Sequence, residues 1–309
     1  MVIIAIVGPT ASGKTGLSIS VAQQLSPAAI ISADAMQLYR GMDIGTAKAT
    51  LTERQGIDHY QLDVLEVTDE ASVAAYQKAA REQLQSLENN GTTPIVTGGS
   101  GLYLRALLDR IEFPGTDSKL RAQLEAEAEK QGPAVMHRRL AEQDPIAAER
   151  IEAPNLRRVI RALEVIALTG KPFSANLPDY TYVKPTVQIG LRPDLEHLDR
   201  NIMLRTQQMF KDGLIEETAA LIPQGLREGK TSSRATGYAQ ALAVLDGKMT
   251  EAEAIESIAL ATRQLARRQI KWFRRDPRIH WINTPQPAES ILHQALKFIE
   301  QAAAKDSVF

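Results

Sequence analysis

Cysteine is absent from the 309 residues. That absence excludes disulfides, thiolate nucleophiles, Cys-ligated zinc and iron–sulfur clusters, and makes a reducing compartment the default. Histidine is scarce, and His59, His137, His197, His280 and His293 show no metal-ligand spacing. Any metal here is therefore a hard, oxygen-bound one. No apolar run approaches the roughly 18 residues of a spanning helix, and the start lacks a signal peptide's basic region and cleavage site. The expectation is a cytoplasmic chain that does not engage a membrane. An excess of one charge is also missing: 36 Lys plus Arg face 37 Asp plus Glu, a formal charge of −1. A wholly basic nucleic-acid binder is excluded, whereas a local basic patch is not.

What remains is ordinary globular material, 44% hydrophobic and 24% charged, of a length that suits about two domains or one with an insertion. Val2 to Val7 is a continuous β-branched run stopped by Gly8-Pro9, the pattern of a central strand buried on both faces. Lys14 to Leu25 has approximate helical spacing, and Ala28 to Ala33 reads as a second strand ending at Asp34. Together they form a βαβ unit. A helix over 71–90 and a strand at 94–97 follow. From about 116 to 171 the composition turns to Ala, Glu, Gln and Arg with helical spacing and no strand candidate. Strand character returns at 185–191, helices run to about 276, and a short strand near 279–282 precedes a terminal helix. The expected fold class is α/β: a P-loop NTPase-like parallel sheet flanked by helices, built from 1–115 and 183–309, with an all-helical insertion at 116–182.

The densest chemical signal is Gly8-Pro9-Thr10-Ala11-Ser12-Gly13-Lys14-Thr15, which fits G-x-x-x-x-G-K-[ST] between a strand and a helix. Such a turn aims backbone N–H groups and the positive end of the helix at phosphate oxygens. Lys14 adds a point charge, and the Thr15 hydroxyl can ligate Mg²⁺. The loop implies a di- or triphosphate-shaped ligand, not ATP in particular. Asp34 stands at a strand's carboxyl end, where open α/β sheets put their ligand crevice; it can ligate Mg²⁺ or accept a proton. Gln37, one helical turn on, can hydrogen-bond a base edge, and Gly98-Gly99-Ser100-Gly101-Leu102-Tyr103 lines the same crevice.

Charge is concentrated between Ala261 and His280, where Arg263, Arg267, Arg268, Lys271, Arg274, Arg275 and Arg278 face Asp276 alone. Arg263, Arg267, Lys271 and Arg274 share one helix face. Arg157, Arg158 and Arg161 form a second cluster, and Arg234 with Gly237-Tyr238 adds an edge. A stretch of +6 in a −1 chain reads as an electrostatic footprint for a polyanion. Two enzyme readings stand at this point: a transferase holding a small diphosphate and a nucleic acid, and a P-loop kinase passing the ATP γ-phosphoryl to a small metabolite. An NTP-switched RNA-binding module is a third. A kinase lid does not account for a basic helix near residue 270.

Gly8 to Thr15 as GPTASGKT, Gly41 to Lys48 as GMDIGTAK, Gly98 to Tyr103 as GGSGLY, Arg161 to Glu164 as RALE and Thr262 to Gln269 as TRQLARRQ occur in this order. The chain thereby resembles the tRNA dimethylallyltransferase (tRNA isopentenyltransferase) family over roughly residues 4–282. The resemblance implies transfer of a dimethylallyl group from dimethylallyl diphosphate to N6 of adenosine 37 in the tRNA anticodon loop, with Mg²⁺ and as a monomer. By the same resemblance Asp34 binds the N6 amine as general base, while Thr10 and Lys14 hold the diphosphate. The implied tRNA contacts are Asp34, Ala35, Met36 and Gln37; Ser100 and Arg121; Arg157, Arg158, Val159, Ile160 and Arg161. Further along they are Arg234, Ala235, Thr236, Gly237, Tyr238 and Ala239; then Thr262, Arg263, Gln264, Leu265, Ala266, Arg267, Arg268 and Gln269. The chain departs from the family pattern at Ala35 and Ser100, usually Ser and Thr. It also departs at Asn201, where the first arginine of R-I-x-x-R is expected and Arg200 lies about 100° away on the helix.

Overall fold

Strand β1 (Ile3–Val7) is buried at every position, and alternation along it divides the core in two. Ile3, Ala5 and Val7 face one apolar cluster; Ile4 and Ile6 face another. In this computed structural model residues 1–176 and 180–306 are described; 177–179, within the expected insertion, and 307–309 lie outside them. After β1 come α1 (Lys14–Gln24), β2 (Ala28–Ser32), α2 (Leu51–Arg54), β3 (His59–Tyr60), α3 (Val73–Asn89), β4 (Thr93–Gly98) and α4 (Gly101–Leu108). The chain continues through α5 (Ser118–Gln131), α6 (Pro133–Gln143), α7 (Pro145–Arg150) and α8 (Leu156–Thr169). Then follow β5 (Thr186–Pro193), α9 (Leu195–Lys211), α10 (Leu214–Leu221), α11 (Tyr238–Leu245), α12 (Glu251–Phe273), β6 (Ile279–Thr284) and α13 (Ala288–Asp306).

Among the described residues six strands form one sheet in the order β3-β2-β4-β1-β5-β6, and every pairing is parallel. Parallel strands need crossovers, so helices cover both faces and the strand sequences read as unbroken apolar runs. Residues of α3 and α4 bury Tyr76, Ala80, Leu104 and Leu107 on one face; α1 and α13 bury Leu17, Val21, Ala295 and Ile299 on the other. This is the expected α/β architecture. The two-residue β3 and four-residue α2 lie where no element was expected, being too short to carry a period.

The chain divides into two compact units, 1–108 with 182–309, and 109–181. The second contains only helices among its described residues, around Leu124, Met136, Leu140, Val159 and Leu163. Helix α8 explains its own placement. Val159, Ile160, Ala162 and Leu163 are buried, whereas Arg157 and Arg158 are exposed, as an amphipathic period dictates. Gly170 in the left-handed conformation ends it. No helix among the described residues is long and apolar enough to cross a membrane.

Candidate active site

The loop from Gly8 to Thr15 joins β1 to α1 at the carboxyl edge of the sheet. Gly8 has φ +149°, and a Cβ there would stand 2.9 Å from the Leu191 carbonyl oxygen of β5. Gly13 adopts φ +89° and caps α1 without a side-chain bond, which leaves the first N–H groups of the helix directed at the cleft. Ser12 Oγ and Lys14 Nζ both donate to the Pro9 carbonyl, at 2.8 and 2.6 Å.

A cleft of about 390 Å³ opens above this loop. Residues 10–15 form its floor, Asp34, Gln37, Thr46 and Ala47 one wall, and Thr97, Gly98 and Gly99 the back; Asn201, Leu204, Arg205 and Gln269 close it. The sequence reading placed the loop, Asp34, Gln37 and the glycine turn in one crevice, and the structure brings them together. Arg205 and Asn201 were not among the predicted site residues. Their signal is the spacing on α9, where Leu198 and Ile202 are buried and Asn201 and Arg205 share the adjoining face. Asn201 itself occupies the wall, whereas Arg200 is exposed and does not line the cleft.

Two side chains lock the loop from outside. Arg205 Nη2 donates to Thr10 Oγ1 at 2.7 Å. Gln269 of α12 accepts from the Thr10 N–H at 2.8 Å and donates to the Gly99 carbonyl at 3.0 Å. Gln269 therefore joins the phosphate loop to the glycine turn. It was expected to contact tRNA, but its carboxamide is committed inside the protein. The glycines of that turn are there for proximity: a Cβ would fall 2.4 Å from the Ala33 carbonyl oxygen at Gly98, 2.5 Å from Gln269 at Gly99 and 2.0 Å from the Trp272 indole at Gly101.

The segment 41–48 also acquires a physical role. Glu217 accepts from the backbone N–H groups of Asp43, Ile44 and Gly45 at 3.1, 2.8 and 3.4 Å and from the Tyr238 hydroxyl at 2.5 Å. Lys48 is buried and donates to the Tyr39 carbonyl, Asp43 and Asp63. These two charges shape the loop so that Thr46 and Ala47 form the cleft wall, while Gln37 donates to the Thr46 and Ala47 carbonyls. Asp34 accepts from the Met36 N–H at 3.0 Å, which aims the carboxylate.

Charge in the cleft is mixed. Burial pulls the Lys14 ammonium down to about 8, opposed by Asp34 and assisted by Arg205. Burial likewise lowers Arg205 from its ordinary value, with Asp34 opposing. One carboxylate thus faces two desolvated cations, an arrangement short of negative charge and suited to a phosphate-bearing ligand. Among the described residues no three His, Cys, Asp or Glu side chains cluster as metal ligands.

Elsewhere the predicted contacts divide. In the helical unit Arg157 and Arg158 are exposed; in the sheet unit Arg234, Thr236, Gln264 and Arg268 are exposed, as are Lys271, Arg274 and Arg275. Val159, Ile160, Ala235, Tyr238, Thr262 and Ala266 are buried core positions, so their side chains are not available to RNA. The motifs run continuously while helices turn every other face inward. Arg267 is paired with Asp199 of α9 at 2.8 Å, and Arg278 with Asp276 while stacking over Tyr182 at 3.9 Å. The +6 stretch therefore offers fewer free charges than its composition implies. Arg121 and Arg161 share the buried carboxylate of Glu164 at 2.5 and 2.8 Å.

Neutralising Arg268 and Lys271 is expected to weaken tRNA binding and to flatten its logarithmic salt slope by about 0.7–0.9 per charge, measured by anisotropy across a salt series. Neutralising Arg267 instead, whose charge Asp199 already balances, is expected to change the slope less.

The model of the IPP transferase family matches residues 37–276. The tRNA dimethylallyltransferase of Thermobifida fusca is 53% identical over 301 residues, covering 96% of this chain and 94% of that one. That of Streptomyces coelicolor is 53% identical over 281 residues, 91% and 90% of the two chains. Among solved structures, the full-length tRNA isopentenylpyrophosphate transferase of Bacillus halodurans superposes with a TM-score of 0.73 at 35% identity, covering 99% of this chain and 98% of that one. A eukaryotic dimethylallyltransferase, described as acting on tRNA, gives a TM-score of 0.79 at 27% identity over 91% and 73% of the chains.

Proposed function

This chain belongs to the IPP transferase family, and on that footing we propose that it transfers a dimethylallyl group from dimethylallyl diphosphate to N6 of adenosine 37 of tRNA. The observation that carries the reading is the cleft itself, where Asp34 stands across a phosphate-binding loop from the desolvated pair Lys14 and Arg205. The diphosphate occupies the loop and is held by its N–H groups, Lys14, Arg205 and Thr10. As the allylic C–O bond breaks, its electron pair leaves on the diphosphate oxygen, and these donors meet the charge that develops there. The N6 lone pair forms the new C–N bond, and the N6 proton passes to Asp34. Products are N6-(dimethylallyl)adenosine and diphosphate.

An exocyclic amine is a weak nucleophile, because its lone pair is delocalised into the ring. Orientation by Asp34 and an electrophile already developing positive charge answer that weakness. The base leaves the anticodon-loop stack to reach a cleft this deep, guided by the exposed basic residues of α12 and of the helical unit.

Thr15 supplies a hard oxygen donor to the cleft, and a site with so few carboxylates suits an ion that takes most of its ligands from phosphate and water, as Mg²⁺ does. When bound, Mg²⁺ offsets charge on the departing diphosphate.

The charge state of Lys14 gives this reading a pH dependence. Its ordinary value is 10.5 and its folded value about 8, so the ammonium is charged below pH 8 and neutral above. Affinity for dimethylallyl diphosphate is expected to fall as pH rises through 8, with proton uptake on binding near pH 8.5. Calorimetry in two buffers of different ionisation heat checks this. The unfolded chain binds the proton more tightly, so Lys14 makes the ligand-free protein more stable as pH rises from about 8 to 10.5. The two trends run in opposite directions.

Purified protein incubated with tRNA and radiolabelled dimethylallyl diphosphate tests the reading. Label is expected in RNA, and γ-labelled ATP is expected to transfer no phosphoryl group to metabolites. Phosphoryl transfer without prenylation would restore the kinase alternative.

A further inference from the structure

Gln269 sits on the buried stripe of α12 with Thr262, Ala266 and Phe273 and is only 9% exposed. A carboxamide placed there is costly unless both of its ends are bonded. Both are: Oε1 accepts from the Thr10 N–H at 2.8 Å, and Nε2 donates to the Gly99 carbonyl at 3.0 Å. Its position is fixed a second time by packing. The Gln269 carboxamide lies against Gly99, and the indole of Trp272, one helical turn on, lies against Gly101, so two glycines set the register of α12 on this turn. A Cβ at either glycine would displace the side chain packed on it.

The consequence falls on Thr10. Its N–H points to Gln269 and is therefore withheld from any phosphate in the loop. Its Oγ1 accepts from Arg205 Nη2 at 2.7 Å. A hydroxyl carries one donor besides its lone pairs, and the Thr10 side chain lines the cleft with that proton given to no acceptor among the described residues. Accepting from a guanidinium makes the O–H a stronger donor. Thr10 thus meets a diphosphate through its hydroxyl and not through its backbone. Gln269 decides where that hydroxyl stands.

We propose that Gln269 is a positioning residue for the transfer reaction: by gripping the Thr10 N–H from α12 it holds the Thr10 hydroxyl, polarised by Arg205, against the diphosphate oxygen that gains charge as the allylic C–O bond breaks. No proton is transferred, because the O–H only donates a hydrogen bond. The proposal rests on the reading of this protein as a prenyl transferase with a diphosphate donor. It separates Gln269 from the segment that it ends. Arg268, its neighbour in sequence, is exposed, whereas Gln269 acts on the donor and not on RNA.

The experiment is a double-mutant cycle read by single-turnover prenyl transfer, using Thr10→Val, Gln269→Met and the pair. Thr10→Val keeps the N–H and removes the hydroxyl; Gln269→Met keeps the side-chain length and removes both hydrogen bonds. Thr10→Val is expected to slow transfer about 10²-fold and Gln269→Met about tenfold, with the tRNA Kd of each unchanged. Acting through Thr10, Gln269 has nothing left to position once the hydroxyl is gone, so the pair is expected to be within about threefold of Thr10→Val, whereas independent roles multiply to about 10³-fold. Gln269→Glu supplies a second readout that does not depend on how the methionine variant folds. A protonated carboxyl reproduces both hydrogen bonds, but a carboxylate faces the Gly99 carbonyl without a donor. Its rate relative to the parent is therefore expected to fall as pH rises from about 6 to about 8.5, since burial raises a carboxyl into that range. Multiplying losses in the cycle, a flat pH ratio for Gln269→Glu, or weaker tRNA binding by Gln269→Met with unchanged transfer at saturating RNA overturns the proposal. Absence of prenyl transfer by the parent protein would instead overturn the reading on which it rests.

Discussion

Asp34→Asn is expected to lower single-turnover prenyl transfer by about 10³-fold, within the range for loss of a positioned general base, while tRNA affinity stays within about threefold. The asparagine oxygen can still accept from the Met36 N–H, as Asp34 does now at 3.0 Å, so the loop keeps its shape and only the base is lost. A second readout separates this from a local collapse. Asp34 is the group that opposes the fall in the Lys14 value. Its neutralisation therefore moves Lys14 lower still, and the pH at which diphosphate affinity begins to fall shifts to the acid side. Turnover within a few-fold of the parent would show that Asp34 is not the base.

Lys14→Met removes the charge closest to the loop carbonyls and is expected to reduce kcat/KM for dimethylallyl diphosphate by 10²–10³-fold, roughly the loss seen when one donor to a developing anion is removed. The tRNA Kd is expected not to change, because the basic surface of α12 lies outside the cleft. The ligand-free protein should also melt no lower than the parent below pH 8. Lys14 is held there in its charged form against the penalty of burial, so the neutral side chain relieves a cost. Equal losses toward RNA and diphosphate, accompanied by a lower Tm, would indicate misfolding and contradict a direct role for Lys14.

The elements that are local in sequence were legible there. β1, β4 and β5 announce themselves as apolar runs because parallel strands covered on both faces have no polar side to show. The phosphate loop reads clearly since its chemistry is contained within eight residues. What closes the site is not local. Arg205 and Gln269 reach Thr10 from 195 and 259 residues away, and only the packing of α9 and α12 decides that they do. A motif such as GMDIGTAK is recognisable, yet its cause lies in Glu217, over 170 residues on.

The predicted RNA contacts illustrate the other limit. Charge counted along the chain treats Arg267 and Arg268 alike, but a helix turns one toward Asp199 and leaves the other in solvent. Tyr238 lies inside a predicted contact segment and is nevertheless a buried strut beneath Gly45, whose Cβ position is 2.5 Å from its ring. Glu164, the carboxylate that holds Arg121 and Arg161, lies in a helical stretch whose other charges are arginines, and its role depends on the three donors that converge on it.

One measurement bears most directly on the central claim. Protein, Mg²⁺ and dimethylallyl diphosphate are combined with an unmodified anticodon stem-loop carrying adenosine at position 37, and with the same stem-loop carrying guanosine there. The RNA is digested and its nucleosides are weighed by mass spectrometry. N6-(dimethylallyl)adenosine is expected from the first RNA and no prenylated nucleoside from the second. Binding of the first stem-loop without any prenylated adenosine, or equal prenylation of both, would contradict the account.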